Sequence, residues 1–178
     1  MKTYTITSVV DLAPWREFLL GVLGDLRKKG QCDDPARTLK EVEHRQGNNA
    51  LACKIWLVLD LEKLRKIEDG AAEDRGPETV AAMAAVAAVV VTDVVMDGEG
   101  RRWLDLWLGW IRKGEHAAPM HAAVAKIDEV AASMGCAGTQ IKGRRGFERW
   151  ALQFGFQPLA VICQKPLGKV GRRKEHHG

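Results

Sequence analysis

The side chains best suited to bind another molecule are three arginines late in the chain. Arg144, Arg145 and Arg149 form a basic cluster at the predicted edge of a sheet. A guanidinium presents a planar fork of donors that suits carboxylates and phosphates. The cluster is therefore a candidate interface or phosphate contact. A solvated face with local carboxylate pairing is the alternative.

A second basic segment occupies residues 165–178. Its charged residues are Lys165, Lys169, Arg172, Arg173, Lys174 and Glu175. A segment of this kind can contact nucleic acid or an acidic partner, and a solvated terminus is the alternative. We interpret it as a flexible tail that follows a single domain spanning residues 1–164.

Tryptophans are concentrated on one predicted strand. Trp103 and Trp107 lie four residues apart, so the alternation of a strand places them on the same face. Tryptophan is a frequent anchor of protein interfaces, especially with arginine nearby. This face is a second candidate interface, and packing into the core is the alternative.

Established catalytic and metal-binding motifs are absent from the sequence. It contains no GxxxxGK[ST], GxSxG or HExxH pattern. His116 and His121 flank Pro119 at a spacing that does not predict a shared metal ion. The cysteines stand singly among apolar neighbours, which predicts buried free thiols rather than disulfides or metal ligands. They are Cys32, Cys53, Cys136 and Cys163.

Length and composition are those of one globular domain. The chain has 178 residues, of which 46% are hydrophobic and 28% charged, with a formal net charge of +4. The most apolar run, residues 80–91, is shorter than the roughly 20 residues that span a bilayer. The first residues lack the apolar core of a signal peptide. We therefore expect no membrane association.

Hydrophobic periodicity predicts alternating helices and strands. Pro14 and Pro35 mark two helix starts, Asp33 or Asp34 caps the second helix, and Gly30 ends the first. The predicted elements are strand 3–10, helix 15–28, helix 35–46, strand 51–59, short helix 61–69, strand 87–96, strand 102–111, helix 120–134, strand 136–142, helix 146–154 and strand 156–163.

The middle of the chain mixes two propensities. Alanine content favours a helix over residues 79–88, whereas the valines that follow favour a strand over residues 87–96. The sequence Asp-Gly-Glu-Gly at residues 97–100 has strong turn chemistry. Strands 87–96 and 102–111 are therefore predicted to form a hairpin.

This order of elements predicts an α/β protein with a mixed sheet flanked by helices. It is also the order of GNAT-fold, acetyltransferase-like proteins. Residues 132–136, 141–149 and 152–156 resemble a narrower group, the GNAT-like proteins encoded among the structural genes of tailed, especially short-tailed, bacteriophages. Phe147 stands where that group more often has tryptophan. The resemblance implies a mostly antiparallel central sheet in a single domain.

The resemblance also implies where a cofactor would bind. Working members hold the pyrophosphate of acetyl-CoA on backbone N–H groups between the fourth strand and the next helix, in the pattern (Gln/Arg)-x-x-Gly-x-(Gly/Ala). Here Arg112 and Gly114 are one residue too close, Glu115 adds a negative charge, and Pro119 removes an N–H group. Lys113 and Gly114 remain the candidate cofactor-binding residues, and the similar phage proteins also shorten this loop.

A general base in such an enzyme would be an acidic residue near the middle strands. Asp93 and Asp105 are the candidates. Asp105 either faces solvent or is a partnered buried carboxylate, and strand alternation favours the solvent-facing position. A general acid would be a late tyrosine or cysteine. The only tyrosine is Tyr4, and Cys163 is predicted to lie in the core.

The leading hypothesis is a non-catalytic GNAT-fold structural or assembly protein of a tailed-phage virion. It would use no cofactor, would contact other virion proteins or further copies of itself, and would be found in the virion or the host cytoplasm. The alternative is an N-acetyltransferase that holds acetyl-CoA between predicted strands 103–111 and 136–142. A nucleic-acid-binding protein that uses the basic tail is the third hypothesis.

Overall fold

The computed structural model describes residues 2–48, 53–70, 78–141 and 148–157. Helices and strands follow one another along this part of the chain much as the sequence predicts. In order they are β1 (Tyr4–Val9), a 3-10 turn (Ala13–Trp15), α1 (Arg16–Lys28), α2 (Pro35–Asn48), β2 (Lys54–Asp60), α3 (Leu61–Gly70), α4 (Glu78–Ala85), β3 (Val86–Met96), β4 (Arg102–Ile111), α5 (Ala118–Ser133), β5 (Thr139–Ile141) and α6 (Glu148–Leu152).

The strands form one sheet in the order β1-β2-β3-β4-β5. The first four strands are antiparallel to their neighbours, and β5 lies parallel to β4. Antiparallel neighbours need only a short connection, whereas the parallel pair needs a crossover, which α5 supplies. The predicted mixed, mostly antiparallel sheet flanked by helices is confirmed.

Apolar side chains cover both faces of the sheet. On one face, α1 and α2 pack against β2, β3 and β4 through Leu19, Leu26 and Leu39. On the other face, α5 packs through Met120 and Ile127. The two covered faces explain why β2 and β3 read as nearly continuous apolar runs rather than as alternating patterns.

The capping predictions are confirmed at both early helices. The carboxylate of Asp34 accepts a hydrogen bond from the Arg37 N–H at 3.1 Å and so caps α2. Gly30 follows α1 with a φ of 66°, a left-handed conformation that glycine adopts without strain. Both residue types satisfy backbone groups that a helix end leaves without an intrahelical partner.

The mixed segment in the middle of the chain contains both elements. Helix α4 ends at Ala85 and β3 begins directly at Val86, so the alanine-rich and valine-rich parts each follow their own propensity. The predicted hairpin is confirmed, because Asp97 N–H donates to the Arg101 carbonyl at 3.0 Å. No helix among the described residues is long and apolar enough to cross a membrane.

Some predicted boundaries differ from the structure. Strand β2 begins at Lys54, β5 covers only Thr139–Ile141, and α6 ends at Leu152. Residues 136–138 bond to β4 without entering the regular strand, since Ala137 N–H donates to the Arg102 carbonyl at 2.7 Å. The predicted last strand lies mostly outside the described residues, and so does the basic tail.

A β-bulge bends β4 at its centre. Val91 pairs with Leu108 while Thr92 pairs with Leu106, so Trp107 is the extra residue. A bulge increases local twist and re-aims the strand. The parallel pairing with β5 uses residues Leu104 to Leu106, on the N-terminal side of the bulge. The half of β4 after the bulge leads directly to the loop before α5.

Candidate functional site

The loop between β4 and α5 is built on one glycine. Gly114 has a φ of 87°, a conformation that side chains with a β-carbon rarely adopt. A β-carbon at this position would meet no heavy atom within 4 Å, so the space beside it is open. The turn is closed by a 3.0 Å hydrogen bond from the Glu115 N–H to the Arg112 carbonyl.

Helix α5 begins four residues after Gly114 without a side-chain cap. Its N-cap residue is Ala117, whose carbonyl accepts bonds from the N–H groups of Met120 and His121 at 3.0 Å each. The first N–H groups of a helix have no intrahelical acceptor, and they carry the positive end of its dipole. Pro119 removes one of these donors. The arrangement can therefore receive an anion, although with one donor fewer than a helix without this proline.

Arg112 faces away from the loop. Its guanidinium donates to the Val86 carbonyl at 2.5 Å and to the Met83 carbonyl at 2.6 Å, and it lies 5.8 Å from the centre of the Trp110 ring. These contacts satisfy carbonyl groups at the end of α4. The structure thus gives Arg112 a helix-capping role and leaves the exposed Lys113 as the cation beside Gly114.

The carboxylate of Glu115 is buried and compensated. Its side chain is 7% exposed, and it accepts hydrogen bonds from Lys2 Nζ at 2.8 and 3.0 Å and from Lys63 Nζ at 3.0 Å. The bond from Lys2, followed by that from Lys63, holds the Glu115 pKa below its usual range. The negative charge that Glu115 adds to this loop is therefore compensated by two ammonium groups.

Asp93 and Asp105 are directly opposite each other on β3 and β4. Asp93 accepts a hydrogen bond from Arg45 and a 2.9 Å bond from the Val94 N–H. On the other side of Asp105 the parallel pairing places Gln140 of β5. The result is a row of polar side chains across three strands, close to the bulge in β4.

The prediction that Asp105 faces solvent is wrong. Asp105 is 7% exposed, because the face of β4 that carries it is covered rather than open. Alternation alone separates the two faces of a strand, and which face is covered depends on where the helices pack. A carboxylate removed from water in this way is a stronger candidate for proton transfer than a solvated one.

Trp103 and Trp107 are half-buried and make specific contacts within the chain. Trp103 Nε1 donates to the Asp97 carboxylate at 3.0 Å, and its ring lies against Gly138. The Trp107 ring packs against the core under α1 and α2 and carries the Arg45 guanidinium 4.7 Å from its centre. Their role as interface anchors stays a prediction.

The other predicted site residues are dispersed. Arg149 is exposed on α6, whereas Arg144 and Arg145 lie outside the described residues. Cys32 and Cys53 are buried free thiols, and burial raises the Cys53 pKa to about 11. Within the described ranges, no group of histidine, cysteine or acidic side chains could hold a metal ion.

Sequence reasoning missed Lys2 and Lys63 as parts of the site. They lie 113 and 52 residues from Glu115 along the chain. No local pattern marks them, because neither lysine belongs to a motif with the loop. Only the topology, which places the start of β1 and the end of β2 at the same edge of the sheet as the end of β4, brings them together.

Several solved structures with the same arrangement of elements are acetyltransferases. The glucosamine-6-phosphate N-acetyltransferase of Arabidopsis thaliana superposes with a TM-score of 0.59 at 10% identity, over 92% of this chain and 98% of that one. A predicted acetyltransferase of Clostridium acetobutylicum, solved with acetyl-CoA, gives 0.60 at 9% identity over 93% and 96%. The chain has the GNAT acetyltransferase fold.

A further GNAT-fold structure is a GNAT family acetyltransferase of Staphylococcus aureus. It superposes with a TM-score of 0.57 at 9% identity, over 94% of this chain and all of that one. No protein-family model and no curated protein matches the sequence. At this level of identity the likeness concerns the fold, and the activity has to be argued from the site.

Proposed function

We propose that this chain is an N-acyltransferase that uses acetyl-CoA. The observation that carries the proposal is the position of the Gly114 turn and the uncapped start of α5 at the end of β4, in a chain with the GNAT fold. Backbone N–H groups at a helix start, together with open space beside a glycine, suit a pyrophosphate. Lys113 adds a positive charge at the same place.

The residues present fit this ligand better than the sequence pattern indicates. Glu115 is neutralised by two lysines, so it does not repel phosphates as a free carboxylate would. Arg112 is absent from the candidate anion site because its guanidinium caps α4. The phosphate contacts would therefore come from the backbone around Gly114 and from Lys113.

The carboxylate pair on β3 and β4 supplies the proton acceptor of the proposed reaction. Acetyl-CoA provides a thioester, whose acyl carbon an amine nitrogen attacks while the carbon–sulfur bond breaks. The amine loses a proton in forming the amide, and Asp105 or its neighbour Asp93 would accept it. The departing thiolate takes up a proton from solvent. Asp105 suits the base role because it lies on β4 beside the bulge.

The test is calorimetric titration of acetyl-CoA into the wild-type protein and the variant Gly114→Ala. A β-carbon at this positive φ costs about 1–2 kcal/mol. If the variant relieves that strain by leaving the turn, we expect about tenfold weaker binding. Gly100→Ala is the matched control, because Gly100 also has a positive φ and open surroundings but lies in the β3–β4 turn. The absence of binding by the wild-type protein at millimolar acetyl-CoA would refute the proposal.

The second candidate is a non-catalytic GNAT-fold protein that assembles with other proteins, such as phage virion components or copies of itself. Two observations favour it: Pro119 removes a donor from the start of α5, and the only tyrosine lies on β1 rather than late in the chain. Its phage context depends on the resemblance of residues 132–156. The exposed Arg149 would belong to its contact surface, and the basic tail could reach nucleic acid.

Two measurements, acetyl-CoA binding and incorporation of a partner, distinguish the assembly hypothesis from the acyltransferase hypothesis. The assembly reading predicts no acetyl-CoA binding and loss of partner incorporation when Arg149 is replaced by glutamate. The acyltransferase reading predicts binding that this replacement leaves unchanged, because Arg149 is exposed on α6 and lies outside the β4–α5 loop.

A further inference from the structure

The loop between β4 and α5 is tied down on both sides of Gly114. On one side, the Arg112 guanidinium reaches the carbonyl groups of Met83 and Val86. On the other side, Glu115 reaches Lys2 and Lys63. The residues between these anchors make the turn that is proposed to receive the pyrophosphate.

The Glu115 anchor connects three parts of the fold. Lys2 precedes β1, Lys63 lies in the first turn of α3, and Glu115 belongs to the loop itself. Lys2 Nζ also lies 3.6 Å from the carboxylate of Asp60, which is itself buried at the end of β2. Asp60 in turn accepts hydrogen bonds from the Glu62 and Lys63 N–H groups at 3.0 and 3.2 Å.

The energetics of this cluster favour a fixed position for Glu115. The side chain of Glu115 is 7% exposed and that of Asp60 is 3% exposed, whereas the two lysines are 48% and 40% exposed. Charge-assisted bonds to a carboxylate withdrawn from water are stronger than exposed ion pairs. Removing a lysine from this group is costly, because the withdrawn carboxylate of Glu115 then keeps part of its charge uncompensated.

We propose that Glu115 is a positioning residue that holds the β4–α5 loop in the shape needed to bind the acyl-CoA phosphates. This inference rests on the proposed acetyl-CoA site. Glu115 contacts the lysines rather than the ligand, so its effect on binding passes through the backbone of Gly114 and the start of α5. A loop held before the ligand arrives needs less ordering when the ligand binds.

The variant Glu115→Gln separates this inference from the simpler idea that Glu115 repels phosphates. Loss of repulsion would tighten acetyl-CoA binding. Loss of the anchor weakens it, and we expect a Kd about tenfold higher, since bonds between charged groups contribute more than neutral ones. In steady-state assays the KM for acetyl-CoA rises while kcat stays unchanged, because the loop does not touch the reacting atoms.

The matched control is Glu62→Gln, which changes the net charge by the same amount. Glu62 pairs with Lys66 in an exposed ion pair on α3, with side chains 68% and 74% exposed. We expect its acetyl-CoA affinity to equal that of the wild-type protein. If Glu62→Gln and Glu115→Gln bind alike, or if Glu115→Gln binds more tightly, the positioning role is wrong.

Hydrogen exchange of the ligand-free protein tests the anchor independently of acetyl-CoA. In Glu115→Gln, we expect faster exchange in peptides covering residues 112–121 and unchanged exchange in the β3–β4 hairpin. Lys63→Gln leaves the loop sequence intact and should also make exchange in residues 112–121 faster. It replaces Glu115→Gln in this experiment if Glu115→Gln folds poorly. Unchanged loop exchange in both variants overturns the anchor. Faster exchange in a protein whose wild-type form binds no acetyl-CoA would leave the anchor standing and overturn the proposed function.

Discussion

Asp97 organises the turn between β3 and β4 through four hydrogen bonds. Its carboxylate accepts from the N–H groups of Glu99 and Arg101 at 2.9 Å each, from Arg101 Nε at 2.7 Å and from Trp103 Nε1 at 3.0 Å. The bonds from the Trp103 and Arg101 side chains hold the Asp97 pKa well below its usual range. The local sequence predicts the turn, and the structure adds the ring of Trp103 as a donor.

The lowered pKa of Asp97 predicts acid sensitivity of this hairpin. Its contribution to stability is complete above the unfolded-state pKa of about 4 and is lost as the pH falls through the lower folded-state value. Asp97→Asn should lower Tm at neutral pH and flatten the decline of Tm below pH 4. Glu99→Gln is the control, since Glu99 is largely exposed. Thermal melts from pH 2 to pH 7 measure the effect, and parallel curves for Asp97→Asn and wild type would contradict it.

Asp105 carries the catalytic prediction at the residue scale. If it accepts the proton of the amine, Asp105→Asn should lower kcat by roughly 10²–10⁴ without changing the Kd for acetyl-CoA. The measurement is release of the CoA thiol with a panel of primary amines as acceptors. Asp128→Asn is the control, because Asp128 is exposed on α5 and accepts a surface bond from Thr139 at 2.8 Å. Equal kcat values for both variants would remove Asp105 from the mechanism.

At the scale of elements, β2 and β3 show how a buried polar contact supports an apolar pairing. Trp56 Nε1 donates to the Thr92 hydroxyl at 2.9 Å, and the two residues are 6% and 1% exposed. The apolar runs of both strands predict burial on two faces, but they do not predict this bond. It joins β2 to β3 on the face that α5 covers.

Removing the hydroxyl tests this bond. Thr92→Val keeps the shape of the side chain but leaves the buried Trp56 N–H without its acceptor, which should destabilise the protein by about 1–3 kcal/mol. Thr92→Ser keeps the acceptor and loses one methyl group, worth about 0.8 kcal/mol. Urea denaturation should therefore rank Thr92→Val as the less stable variant. The reverse ranking would show that the methyl contact outweighs the bond.

At the scale of the whole molecule, the fold indicates the structural class, whereas the residues of the β4–α5 loop bear on the proposed function. The fold is shared with acetyltransferases at identities of 9–10%, so it is compatible with very different sequences. The proposed function depends on the groups placed at the end of β4 and beside the bulge. At the end of β4, Arg112 caps α4 and lysines hold Glu115.

The sequence by itself predicts most of the helices and strands, the hairpin and the mixed sheet, and it limits the cap of α2 to Asp33 or Asp34, because periodicity and turn chemistry act between residues close along the chain. Helix α4 is not among the predicted elements. The tertiary structure alone decided that Asp105 is buried and that Glu115 is neutralised. Burial depends on which helices cover a face, and charge compensation depends on which distant lysines the topology brings near. Neither property is encoded in a local pattern.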